Sequence, residues 1–290
     1  MNPGRQAIVS LAACLIGLAV LSPCARLEGQ VLKVNGSTTV NLPAAEAAEI
    51  LRSEKGMQIQ IDTLGGSSGG ISMLGDGRVE VGMTSKPVSD GDRAHYPQVD
   101  FHPVSIGEDA VALIVSRDVW DGGVHSLTAE QMRGIYEGRI TNWNEVGGPA
   151  LRIAFFNKEP GRGTWEVFAH WLYGNSKEAP QVSFAEVGGN EETRNKVAST
   201  RGALSQLSSS WVDGNRVYAL AIQSFDGELI EPLPENIVSG KYPMSRPLFV
   251  VTNGPARGPA AVFIEFLLSP RGQELVRKHG YLSLAQLQSS

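Results

Sequence analysis

Gly66, Ser68 and Gly70 stand within Thr63 to Ile71, TLGGSSGGI, at the spacing G-x-S-x-G. In one chemistry that spacing exposes a serine nucleophile on a sharp strand-to-helix turn. In another, glycines let backbone N–H groups approach a ligand closely and serine hydroxyls rotate to meet an oxyanion. Three further stretches share the second character: Gly36-Ser37-Thr38-Thr39, Thr84-Ser85-Lys86 and Gly161-Arg162-Gly163-Thr164. Lys86 and Arg162 each interrupt a run of small residues, which favours a charge aimed at an anion over a solvated one. A nucleophile needs a base, and His95, His102, His125, His170 and His279 are the candidates. His279 precedes Gly280, where a favourable charge at a helix C-terminus is the simpler role. No HGGG-type oxyanion motif lies upstream of Ser68. No Cys/His/Asp/Glu cluster has metal spacing and no phosphate-binding G-x-x-x-x-G-K-[ST] or G-x-G-x-x-G occurs, so neither metal nor cofactor is expected.

The elements that carry these turns follow from hydrophobic periodicity. Val31 to Val34 reads as a short buried strand ending at Gly36. Pro43 suits a first helical turn, Ala44, Ala47, Ala48 and Leu51 recur at helical spacing, and Gly56 stops the helix. Met57, Ile59 and Ile61 alternate with polar residues as a strand that empties into GGSSGG. Val79, Val81 and Met83 alternate likewise and deliver Thr84. Ala110 to Val115 is continuously apolar, as in a strand covered on both faces. Thr128 with Gln131 makes a capping box. Leu151 to Phe156 is a strand whose exit holds Asn157, Lys158 and Gly161, before a helix marked by Trp165, Phe168 and Leu172 and stopped at Gly174. Later strands at Val217 to Ile222 and Leu248 to Val251 precede two helices, the second started by Ser269-Pro270 and ended at Gly280. Strands alternating with helices predict an α/β fold. In open α/β sheets ligands bind beyond the carboxyl ends of the strands, so the four turns can converge.

At 290 residues the chain is long enough for two domains, each with its own core. A net charge of -5 provides no general attraction for phosphate backbones, so no nucleic-acid partner is expected. Arg5, an apolar run from Ala7 to Leu21 and then Ser22-Pro23-Cys24-Ala25 have the layout of an export signal, assigned here to residues 1–29. The run is too short and wrongly flanked for a membrane span. Both cysteines, Cys14 and Cys24, fall within residues 1–29, so a disulfide in the mature chain is not expected. Lipid anchoring at Cys24 and plain cleavage between Cys24 and Gln30 both stay open. Either places the protein in the periplasm or outside the cell, with the membrane touched only through such an anchor.

GSTTV at 36 to 40, GGSSGG at 65 to 70, VEVGMTSKP at 79 to 87, LTAEQMRGIYEGRITNWNEVGG at 127 to 148, SGKYPMSRPLFVVT at 239 to 252 and FLLSPRGQELVRKHGYLSL at 266 to 284 together resemble the phosphate-binding proteins of bacterial ABC importers. The resemblance covers nearly all of the mature chain. It implies a two-lobed periplasmic-binding-protein fold with a ligand cleft between the lobes. One lobe would hold 31–107 and 250–290, the other 108–249, with hinge crossovers near Ser105 to Val115 and Arg246 to Val251. It implies a receptor that delivers inorganic phosphate, or a related tetrahedral oxyanion, to a membrane permease without catalysis. Thr38 and Thr39 would donate to the ligand, with Ser37 beside them, as would Ser67, Gly163 and Thr164, while Ser68 would only support the loop. Three positions depart from the family pattern. Ser85 stands where many members carry aspartate, Lys158 where the family has arginine, and Arg162 where it has serine. The alternative is an exported serine hydrolase using Ser68.

Overall fold

The computed structural model describes residues 30–224 and 226–288. The expected signal segment, with Cys14 and Cys24, lies outside the described residues. The chain opens with β1 (Val31–Gly36), α1 (Asn41–Lys55), β2 (Gln58–Asp62), α2 (Gly66–Gly75), β3 (Val81–Thr84), α3 (Asp90–His95) and β4 (Phe101–Val115). Next come α4 (Arg117–Asp121), β5 (Ser126–Thr128), α5 (Ala129–Tyr136), β6 (Ala154–Lys158), α6 (Gly163–Tyr173), β7 (Ala185–Val187) and α7 (Asn190–Ser199). β8 (Ala203–Ser208), β9 (Tyr218–Gln223), β10 (Leu229–Ile230) and α8 (Pro234–Val238) follow, then β11 (Ser245–Asn253), α9 (Gly258–Leu268), α10 (Pro270–Lys278) and α11 (Leu284–Leu287).

Two parallel groups of strands share one long antiparallel pair. β1 lies between β2 and β3, parallel to both, and β3 meets β11 antiparallel. β11 runs antiparallel along β4 from Ser245 opposite Ala110 to Asn253 opposite Phe101. The far half of β4 then pairs with β8, which carries β6 and β7 in parallel, and with β9. The carboxyl ends of β1, β2, β3, β6 and β7 all open into the glycine-rich turns or the helix starts that follow them.

The core divides the same way. The apolar stripe of α1, Ala44, Ala47, Ala48 and Leu51, packs with Phe263, Ile264 and Leu267 of α9 and Val276 of α10 over β1 and β3. The second cluster gathers Val111, Leu113 and Val115 of β4, Met132, Ile135 and Tyr136 of α5, Trp143, and Phe168 and Leu172 of α6. Ile106 and Leu248 belong to the first cluster and Ala110 and Met244 to the second, so the crossing lies at Gly107 to Asp109 and Ser245 to Pro247. This is a two-lobed α/β fold. Near the C-terminus Leu282 packs in the second cluster, tied by paired backbone bonds of 2.9 Å with Glu108.

The expected strand from Leu151 begins instead at Ala154, because Arg152 forms an isolated bridge with Asn142 and the Leu151 carbonyl takes the Trp143 N–H at 2.9 Å. Residues 203 to 208, which have no apolar alternation, form β8 and are buried throughout. Their polar side chains are satisfied by neighbours: Ser205 Oγ donates to the Phe156 carbonyl at 2.7 Å, and Gln206 Nε2 to Asn157 Oδ1 at 3.1 Å. His279 is the C-cap of α10, as its place before Gly280 implies, and its Nε2 also lies 2.9 Å from Glu46 Oε2.

Gly70 lets α2 lie directly on the sheet, since a Cβ there would sit 2.6 Å from the Met83 carbonyl oxygen and 2.7 Å from that of Asn35. Both are backbone atoms and cannot swing away. Gly70→Ala is expected to cost about 1 to 3 kcal/mol of stability, the usual range for overpacking, measured by urea unfolding; a change below about 0.5 kcal/mol would show that α2 is free to lift.

Candidate functional site

The turns meet. One small cavity is lined by Ser37, Thr38, Thr39, Gly66, Ser67, Ser85, Lys158, Arg162, Gly163, Thr164, Gly188 and Asn190. It draws on both halves of the molecule. The first four N–H groups of a helix have no intrahelical acceptor, and the helix dipole adds partial positive charge there. α2, α6 and α7 start at this cavity without a side-chain cap on the first turn, whereas at the turn into α1 Ser37 Oγ takes the Thr39 and Val40 N–H groups. Away from the cavity α3, α5 and α10 are capped by Ser89, Thr128 and Ser269, while α4, α8 and α9 also start without a side-chain cap. Uncapped starts leave N–H donors for a guest.

Close approach across the cleft depends on Gly163. A Cβ there would fall 2.5 Å from Ser85 Oγ and 2.9 Å from Ser67 Oγ, so only glycine brings the start of α6 against the serines of the other half. A backbone bond also crosses, from the Ser68 N–H to the Gly161 carbonyl at 3.2 Å.

Three buried hydroxyls form a relay on the first half. Ser37 Oγ accepts from the N–H groups of Thr39 at 3.2 Å and Val40 at 3.5 Å, and donates to Ser85 Oγ at 3.0 Å. Ser67 Oγ accepts from the Ser85 N–H at 3.0 Å and lies 3.2 Å from Ser85 Oγ. Three hydroxyl protons thus serve two internal contacts, which leaves one proton, on Ser67 or Ser85, for a ligand. Thr39 is more tightly determined. Its Oγ1 accepts from Asn190 Nδ2 at 3.1 Å and Arg246 Nη2 at 3.2 Å, so its own proton is free to donate.

Arg246 is buried beneath the cavity on β11. It donates to Asp109 Oδ2 through Nε at 3.1 Å and Nη2 at 2.8 Å, and to Thr164 Oγ1 through Nη1 at 2.9 Å. Burial pushes the Asp109 carboxyl up, and the guanidinium pulls it back toward the ionised form. Arg162 lies at the cavity wall, its Nε and Nη2 bonded to Glu159 Oε2 at 2.9 and 2.7 Å. Its remaining edge faces Gly66, where a Cβ would come within 3.0 Å of Nη1.

Lys158 is 1% exposed, yet its ammonium faces the loop behind the cavity. Nζ donates to the carbonyls of Gly188 at 2.9 Å and Gly189 at 3.2 Å and to Thr193 Oγ1 at 2.5 Å. These use its three protons and hold the start of α7 in place. Burial pushes Lys158 well below the ordinary lysine range, and repulsion from Arg162 and then Arg246 adds to it. Glu192 and Glu159 offset part of that repulsion.

Lys86 does not reach the cavity. Its Nζ meets Glu166 Oε1 at 3.3 Å in a separate groove with Trp165 and Pro247. Ser85 and Lys86 form a bend after β3, in which the Lys86 N–H donates to Thr84 Oγ1 at 3.2 Å. Ser68 and Gly161 lie beside one another at the edge but do not line the cavity. Among the described residues no histidine is hydrogen-bonded to Ser68; His125 meets the Trp120 carbonyl and His279 meets Glu46. Sequence reasoning missed Gly188, Asn190 and Arg246. Gly188-Gly189-Asn190 had a signal, since two glycines after a strand and before a helix repeat the pattern of the other turns.

The PBP superfamily domain matches residues 25–271. The chain belongs to the PBP superfamily. Within it, the chain is 26% identical over 258 residues to the phosphate-binding protein PstS of Bacillus subtilis, covering 88% of this chain and 81% of that protein. It is 26% identical over 280 residues to the PstS of Borreliella burgdorferi, covering 93% and 96%. A Clostridium perfringens protein crystallised with bound phosphate, and described as an ABC transporter substrate-binding protein, superposes with a TM-score of 0.77 at 29% identity, covering 88% of this chain and 100% of that one. The ABC-type phosphate transport receptor of Vibrio cholerae gives a TM-score of 0.68 at 27% identity, covering 87% and 99%.

Removing one partner of a buried ion pair costs about 3 to 5 kcal/mol, because the other charge is left uncompensated. Arg246→Met is expected to lose stability in that range by denaturant unfolding. The double variant with Asp109→Leu should recover most of it, and a double variant as unstable as the single one would show that the pair is not what holds the crossing.

Proposed function

We propose that this PBP superfamily member is an extracytoplasmic receptor that binds inorganic phosphate reversibly between its lobes and delivers it to the permease of an ABC transporter. The observation that carries the reading is the cavity itself: uncapped helix starts from both halves and the Arg162 guanidinium converge on one small space. The similarity to the PstS phosphate-binding proteins and to the Clostridium perfringens protein crystallised with phosphate supports the same ligand. Thr38, Thr39, Ser67, Gly163, Thr164 and Arg162 are assigned as ligand donors, with Ser37, Ser85, Lys158 and Asn190 positioning them. No covalent step is required, and Ser68 acts as support, not as a nucleophile.

Hydrogen bonds to a charged group contribute about 1.5 to 3 kcal/mol each. A handful of them, less an association cost of at least ~4 kcal/mol, reaches the ~8 kcal/mol of micromolar binding. Because donors come from both lobes, ligand favours the closed arrangement through contacts it makes only there. We place one lobe at 31–106 and 248–281, the other at 110–244 together with the segment around Leu282, and the hinge between them. The export signal assigned to residues 1–29 puts the receptor outside the cytoplasm, with Cys24 as the site of any lipid anchor.

Isothermal titration calorimetry with inorganic phosphate tests the reading, with one site per chain expected. Arg162→Ala removes the fixed charge at the wall and should weaken binding at least tenfold. Phosphate affinity unchanged in that variant would take Arg162 out of the site, and no heat from the unaltered protein would end the proposal.

A further inference from the structure

Lys86 is turned away from the anion cavity, yet its partner belongs to the opposite lobe. Lys86 follows β3 and Glu166 lies on α6. Lys86 Nζ donates to Glu166 Oε1 at 3.3 Å, and the two side chains are only 14% and 27% exposed. Among the described residues the other ion pairs stay within a lobe, as Lys278–Glu46 and Arg139–Glu137 do, or sit at the crossing, as Arg246–Asp109 does. Lys86–Glu166 is the pair that spans the lobes.

Both ends of the pair are fixed from behind. Thr84 Oγ1 donates to the Lys86 carbonyl at 2.9 Å and accepts from the Lys86 N–H at 3.2 Å, which sets the bend that presents the lysine. Glu166 stands three residues after Gly163, on the same face of α6. Gly163 is where α6 meets the first lobe, since a Cβ there would lie 2.5 Å from Ser85 Oγ and 2.7 Å from the Ser85 carbonyl oxygen. The pair therefore stands one residue beyond that contact on one lobe and one helical turn beyond it on the other. Pro87, Pro247 and Trp165 line the groove around it, so water and salt screen it less than an exposed pair. Parting the lobes would separate the two charges and return both to water.

We propose that the Lys86–Glu166 pair is a latch that favours lobe closure and tightens anion binding without touching the anion. Both are positioning residues. An attraction present only with the lobes together raises the share of binding-competent protein, and the apparent affinity rises with it. A simple effect of charge makes the opposite prediction at one end. Glu166 places a negative charge in the first turn of a helix that starts at the cavity. Removing that charge would by its field alone tighten the binding of an anion, whereas removing a latch weakens it.

The inference takes its readout from the phosphate-receptor reading, and titration calorimetry with inorganic phosphate on Glu166→Gln, Lys86→Met and the double variant tests it. Glu166→Gln is expected to weaken binding at least about threefold, with the stoichiometry kept at one site per chain. The double variant is expected to bind no more weakly than Lys86→Met, because the pair can be broken only once. A smaller loss or tighter binding in Glu166→Gln, or losses that multiply in the double variant, would overturn the latch and leave the receptor reading intact. If the unaltered protein takes up no phosphate, the receptor reading fails and small-angle X-ray scattering decides the latch. A larger radius of gyration in Glu166→Gln than in the unaltered protein would then support it, and equal radii would end it.

Discussion

The site depends on a single buried guanidinium. Arg246 sits where β11 crosses between the lobes, and its protons reach Asp109, Thr39 and Thr164 together. Thr39 belongs to the turn before α1 and Thr164 to the first turn of α6, so one planar group sets the distance between a donor of one lobe and a donor of the other. Lysine offers a point charge on a flexible stem and could not hold three directions at once. Burying this pair is costly, and its return is geometric: Thr39 has both lone pairs occupied and its proton left over.

Around that centre the fold concentrates positive potential without placing every cation in contact with the guest. Lys158 and Arg246 act from behind the wall, one holding the start of α7 and the other bridging the threonines. Arg162 lines the cavity and keeps an edge not bound to Glu159. The helix starts add partial charges at fixed positions. Donors held this way need little reorganisation when an anion arrives, which keeps the ordering cost of binding low.

Much of this was legible in the chain. GSTT, GGSSGG and GRGT could be read as ligand turns because small residues at strand exits leave backbone donors open, and the structure brings all three to one cavity. The capping box of Thr128 with Gln131 and the stop at Gly56 are local devices, complete within a few residues, and both appear in the fold. Where the Lys86 side chain goes was not legible, because it follows a bend after β3 and a carboxylate 80 residues away, Glu166. β8 was illegible because its polar residues are buried against partners as distant in sequence as Asn157.

By itself, then, the chain determined the α/β alternation, the turns fit for an anion and the small residues that keep those turns open, since each depends on propensities and sterics acting over a few positions. The tertiary structure alone decided that Arg246 joins the site, that Lys158 serves the α7 loop, and that three serines share one spare proton. Those facts depend on contacts between residues far apart in the chain, where hydrogen-bond direction and burial exist only after the lobes have packed.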